Sequence, residues 1–157
     1  MEVTATYTTV FQTCIHWTDT IADYISIDLP SNGCFRLLCF TSTDLLDPAG
    51  KSVQALCHLS SATLPRFPSP TIEQLVIYPA TLGAFEWEHI PRGIRDWSEM
   101  RFYNGYDVSD AYAVYGLNPA QGALAVVRPD GYIGVVGTLT DLDRIDRYLE
   151  GCIATVI

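Results

Sequence analysis

A chain of 157 residues with 48% hydrophobic and 17% charged side chains is one domain long and can fill one core, which excludes a disordered linker. Its formal net charge of −9 argues against nucleic acid and anionic membrane as partners, because both are bound through a basic face. No apolar run approaches the roughly 20 residues of a membrane span, and the first residues lack the basic and apolar regions of a signal peptide, so a cytoplasmic location is expected.

In chain order, Val3, Ala5, Tyr7 and Phe11 alternate with threonines over residues 3–11, which fits a strand or extended arm. Ile21, Ile25, Ile27 and Leu29 suggest a second extended segment, and Pro30-Ser-Asn-Gly33 a turn. Phe35-Arg-Leu-Leu-Cys-Phe40 is a nearly continuous apolar run, as in a strand buried on both faces. Asp47-Pro48 resembles an N-cap followed by a first-turn proline, so a helix is expected over about 48–61, with Pro65, Pro68 and Pro70 preventing continuation. Ile72–Tyr78 is the next strand, stopped by Pro79.

Residues 80–116 are irregular and aromatic, with a short helix expected over Asp107–Tyr115, capped by Asp107 or Ser109 and closed by Gly116. Two apolar, β-branched runs, Ala123–Arg128 and Tyr132–Val136, flank Pro129-Asp130-Gly131. That spacing predicts a β-hairpin. Thr140 is placed to cap a final helix with Asp141 and Asp143 in its first turn, an apolar stripe of Leu142, Ile145 and Leu149, and Gly151 as its stop.

The order after residue 34 is therefore βαβαββα with a mixed sheet. This is the thioredoxin-like arrangement, a three-layer α/β sandwich. One domain spans 1–157, with 1–30 as an N-terminal extension able to add strands and 31–157 as the core.

Thioredoxin-like redox enzymes hold a reactive cysteine just after the first core strand, at a helix N-terminus. Here that place reads Thr41-Ser-Thr-Asp-Leu-Leu-Asp47, without a thiol. The five cysteines, Cys14, Cys34, Cys39, Cys57 and Cys152, form no CxxC and read as reduced core thiols. Cys14-Ile15-His16 and Cys57-His58 lack zinc-ligand spacing, so no metal is expected. There is no G-x-G-x-x-G, Walker A, G-x-S-x-G or H-E-x-x-H. Disulfide exchange, peroxidase chemistry and any cofactor are therefore not expected.

Three stretches, Ser31-Asn-Gly-Cys-Phe-Arg-Leu-Leu-Cys-Phe40, Tyr115-Gly-Leu-Asn-Pro119 and Val126-Val-Arg-Pro-Asp-Gly-Tyr-Ile-Gly134, together with the terminal helix, resemble the C-terminal domain of FAD-dependent phenol hydroxylases (phenol 2-monooxygenases). The resemblance runs from Asp28 onward. It implies a thioredoxin-like fold without redox cysteines that takes part in dimer contacts. The family's flavin and substrate domains would precede this segment, and Met1 stands just in front of it. The expectation is a stand-alone, flavin-free relative to which no catalytic residues carry over.

Two functions fit. The first is a non-redox dimerisation or accessory module linked to aromatic or polyketide secondary metabolism, pairing with itself or a partner enzyme. The alternative is a cofactor-independent cyclase, isomerase or dehydratase acting on an aromatic, polyketide-like small molecule. For that chemistry His89 or His16 would be the acid or base, with Tyr103, Asp107 or Arg95 orienting substrate. The aromatic segment supplies Trp87, Arg95, Trp97, Arg101 and Tyr106 as binding or interface residues, the mixture enriched at interface hot spots. His58 reads as exposed or capping, and Arg128 and Asp130 as turn residues.

Overall fold

The computed structural model describes residues 14–17, 22–24, 32–82, 85–95, 101–105 and 110–156. The expected arm at 3–11 and most of the extended segment after Thr20 lie outside them.

Seven strands form one mixed sheet: β1 (Cys14–Trp17), β2 (Ala22–Tyr24), β3 (Phe35–Phe40), β4 (Ile72–Tyr78), β5 (Arg101–Asn104), β6 (Ala123–Val127) and β7 (Ile133–Gly137). Their order is β2-β1-β5-β4-β3-β6-β7. β3 and β4 run parallel, with Phe35 opposite Ile72 and Phe40 opposite Ile77, joined by a helical crossover. β6 returns antiparallel to β3, and β7 antiparallel to β6. β5 extends the parallel part beside β4, and β1 and β2 continue the sheet beyond it. The extension thus adds strands to the predicted core. β5 itself is a correction to the irregular reading of residues 80–116.

Alternation along each strand divides the core in two. Leu37, Cys39, Val76, Phe102, Leu124 and Val126 point to one face, under α1 (Lys51–His58), α2 (Arg92–Arg95) and α4 (Leu142–Cys152). Leu38, Phe40, Leu75, Ile77, Tyr103, Ala123, Ala125 and Val127 point to the other, with Ala111 and Tyr112 of α3 (Ala111–Val114).

The first helix begins later than predicted, and Asp47 does not cap it. The carboxylate that receives its first amides belongs to Asp44, which accepts from Lys51 N–H at 2.7 Å and Ser52 N–H at 3.3 Å, while Asp47 closes a local turn on Ala49 N–H at 2.9 Å. Nor do the prolines end the helix near 61. It widens into a π-turn over Leu59–Thr63 and tightens into a 3₁₀ turn, Leu64–Arg66, that contains Pro65. A 3₁₀ turn needs few amide donors from its first residues, so proline is tolerated there.

Helix α3 is capped by Asp110, which accepts from Tyr112 N–H at 3.0 Å, rather than by Asp107 or Ser109, which lie outside the described residues. Four residues cannot hold a helix alone. The Tyr112 hydroxyl fastens it by donating to the carbonyls of Thr41 at 2.6 Å and Ile77 at 2.9 Å. In α4, Asp141 rather than Thr140 is the capping position, and the helix runs one residue past Gly151 with Ile145 and Leu149 buried.

Candidate functional site

The carboxyl end of β3 and the start of α1 form the place where a thioredoxin-like fold would present its thiol. Asp44 fills it. Besides the two amides, it accepts from the Ser52 hydroxyl at 2.5 Å and from the Ser42 hydroxyl, while Ser42 N–H donates to Ser52 Oγ at 2.9 Å. Both serines are buried. Partial burial opposes ionisation of Asp44, but these four donors outweigh it and hold the carboxyl below its ordinary value. The positive end of α1 thus already has an internal anion.

Gly122 completes this corner just before β6. Its φ is +66°, and a Cβ there would lie 2.4 Å from the Phe40 carbonyl oxygen and 3.1 Å from Ser42 N. Proline cannot adopt positive φ, which accounts for its absence where thioredoxins keep one.

The thiols lie elsewhere. Cys39 is fully buried inside β3, and burial pushes its pKa to about 12, against the hydrogen bond from Gln74, so it stays a thiol. Cys34 donates to the Pro70 carbonyl at 2.8 Å, Cys57 is half-buried on α1, and Cys152 is exposed at the end of α4. Among the described residues, no group of three or more His, Cys, Asp and Glu is placed to hold a metal ion.

Among the described residues, His89 and Tyr103 do not come together at one site. His89 is exposed in a 3₁₀ turn, Trp87–His89, where its Nδ1 accepts from Glu86 N–H at 3.1 Å. Ile90 and Ile94 beside it pack on the α1/α4 face, whereas Tyr103 is buried on the opposite face of the sheet. His16 lies on β1, paired with Ala22 and Asn104. Trp87 opens the 3₁₀ turn, Arg95 closes α2, and Arg101 opens β5 opposite Leu75. Trp97, Tyr106 and Asp107 lie outside the described residues.

Among the described residues, a cluster that sequence reasoning missed joins the α1 extension to α4. Asp146 accepts from Thr63 Oγ1 at 2.6 Å, pairs with Arg66 Nη2 at 3.3 Å and faces His58 Nε2 at 3.6 Å. Arg66 also pairs with Glu150 and accepts Val156 N–H on its carbonyl at 2.7 Å. Nucleophilic catalysis would need the histidine between hydroxyl and carboxylate. Here the carboxylate stands between them, so the group works as an electrostatic clasp. Only the i, i+4 pair Asp146–Glu150 was visible locally; the partners are some 80 residues away.

At the hairpin, Arg128 pairs with Asp130, both half-exposed, as expected for turn residues. Gly134 has no partner in β6, since Val126 pairs with Val135 and Val127 with Ile133. A Cβ on Gly134 would lie 1.9 Å from the Tyr148 hydroxyl, so a larger residue at this bulge would have to displace the Tyr148 ring. All five residues of β7 are partly exposed, and Tyr132 just before it is an exposed large hydrophobic residue.

Known proteins give this geometry its context. Peroxiredoxin Q of Xanthomonas campestris superposes with a TM-score of 0.60 at 11% identity, covering 91% of this chain and 92% of that one. The bacterioferritin comigratory protein of the same organism gives 0.60 at 10%, covering 91% and 93%. At such identities the likeness shows the fold alone: thioredoxin-like. The flavin-dependent oxygenase ucdD of Aspergillus ustus is 28% identical over 151 residues, covering 86% of this chain and 22% of its own length. The phenol 2-monooxygenase fsqG of Aspergillus fumigatus is 27% identical over 132 residues, covering 77% and 22%. The chain therefore spans about a fifth of these curated relatives. A family model described as the phenol hydroxylase C-terminal dimerisation domain matches residues 12–156, reaching further upstream than the resemblance read from Asp28. With nearly its whole length matched, the chain belongs to the family of phenol hydroxylase C-terminal dimerisation domains.

Proposed function

We propose that this chain is a redox-silent accessory module that brings two copies together in support of flavin-dependent oxygenation of aromatic compounds in secondary metabolism. It carries no flavin site of its own. The observation that carries this reading is the tethered Asp44 carboxylate in the seat of a reactive thiol. A carboxylate there can cap a helix but cannot attack a disulfide or peroxide. The family's dimerisation role supports the pairing, and the likeness to a flavin-dependent oxygenase and a phenol 2-monooxygenase supports the link to aromatic oxygenation. The alternative, a cyclase, isomerase or dehydratase with His89 or His16 as acid or base, is not favoured here, because exposed His89 adjoins Ile90 and Ile94 of one core cluster whereas Tyr103 belongs to the other.

Multi-angle light scattering of the purified chain at micromolar concentration should give twice the chain mass. Insulin-reduction and peroxide-consumption assays should run at the rate of the uncatalysed controls. A monomer across the accessible concentration range would sink the association half, and thiol-dependent turnover would sink the redox-silent half.

A further inference from the structure

Among the described residues, the outer edge of β7 has no neighbouring strand. We infer that two chains associate by antiparallel pairing of Ile133–Gly137 across a two-fold axis at Val135, joining their sheets into one; this inference rests on the self-association proposed above.

β7 ends the sheet order, so its outer backbone has no strand partner among the described residues. Natural monomers protect such an edge with charges, proline, short strands, bulges or a covering element, and of these β7 has only its five-residue length and the Gly134 bulge among the described residues. Ile133-Gly-Val-Val-Gly137 has no charge and no proline, and all five residues are partly exposed. Tyr132, 43% exposed, adjoins it, and tyrosine is an enriched interface anchor.

Charge points to the same place. Two chains of net −9 repel at long range, so the contact belongs where the field is weakest. The stretch 128–147 balances Arg128, Arg144 and Arg147 against Asp130, Asp141, Asp143 and Asp146, leaving one of the nine excess negative charges.

Symmetry then sets the register. A two-fold axis perpendicular to the strand makes it antiparallel to its own copy. With the axis at the strand's midpoint, Tyr132 of one copy lies opposite Thr138 of the other. The Gly134 bulge adds twist, which a short two-stranded contact accommodates, because such ribbons are the most strongly twisted.

The test is a charge exchange in the full chain, followed by sedimentation equilibrium. Tyr132 and Thr138 are both exposed, so Tyr132→Lys and Thr138→Glu should each still fold, the second with a lower midpoint because Thr138 Oγ1 accepts Thr140 N–H at 3.3 Å, while each weakens the dimer by about tenfold or more through a lone charge at the contact. The double variant sets lysine against glutamate at both ends and should recover to within roughly threefold of wild type. Amides of 133–137 should also exchange faster on dilution to monomer.

Single variants that dimerise like wild type would overturn the edge and leave self-association standing. A double variant no better than the singles would overturn the proposed register. A monomeric wild type would overturn self-association itself and this inference with it.

Discussion

The two faces of the sheet are built by different means. Under α1 and α4, the core is aliphatic side chains at helical and strand spacing, such as Leu56, Leu59, Ile145 and Leu149 against Leu37, Leu124 and Val126. The opposite face carries small residues, Ala111, Ala123 and Ala125, around Tyr112 and Phe40, whose rings meet edge to face at 5.5 Å. The first face adds Phe67, Tyr78 and Phe102 to its aliphatic area. The second has a smaller aliphatic set, Leu38, Leu75, Ile77 and Val127, and leans in addition on an aromatic whose hydroxyl reaches the Thr41 carbonyl. Stability on the first is spread over many side chains. On the second it is more concentrated.

That contrast can be broken by substitution. Leu56→Ala, at 1% exposure under α1, should cost about 3 kcal/mol through lost transfer energy and a cavity, measured by urea unfolding with an unchanged m-value. Tyr112→Phe keeps the ring but removes the hydroxyl donor from the Thr41 carbonyl, while the Ile77 carbonyl keeps the Thr41 N–H, at a cost of about 1–2 kcal/mol. If the two faces were built alike, the removal of one oxygen would go unnoticed.

Asp44→Ala should cost about 1–2 kcal/mol at neutral pH, as for other lost caps. Because the Asp44 carboxyl is held below its ordinary value of 3.8, its contribution is complete above that value and disappears as pH falls through the lower folded value. The gap between wild type and Asp44→Ala should therefore close only in strong acid. A gap that narrows near neutrality would reassign the effect to another group. Arg128→Ala, removing a half-exposed ion pair, should change stability by no more than about 0.5 kcal/mol.

Much of the fold was legible because its signals are local. The continuous runs at Phe35–Phe40 and Ile72–Tyr78 match the strands residue for residue, and the turn at Pro129-Asp130-Gly131 set the hairpin arms to within one residue. What failed was non-local. β5 is four residues, Arg-Phe-Tyr-Asn, that become a strand because β4 and β1 flank them. The start of α1 was misplaced because its capping carboxylate lies seven residues before the first amide that it accepts. His58 gave no sign of Asp146, since only tertiary packing brings the two together. The absence of a thiol from its usual seat was readable, but the replacement of that thiol by a hydrogen-bonded aspartate was not.

The seat at Asp44 also bears on how the chain could change over evolutionary time. A single mutation at Ser52 would put a thiol where its hydroxyl now lies, 2.5 Å from a carboxylate oxygen. The neighbouring negative charge would resist thiolate formation and keep the new sulfur sluggish. Reactivity would need loss of the aspartate as well, and that first step removes a helix cap. Neither substitution alone therefore yields a reactive thiol. Iodoacetamide labelling should show it: Ser52→Cys should react more slowly than the same cysteine combined with Asp44→Ala.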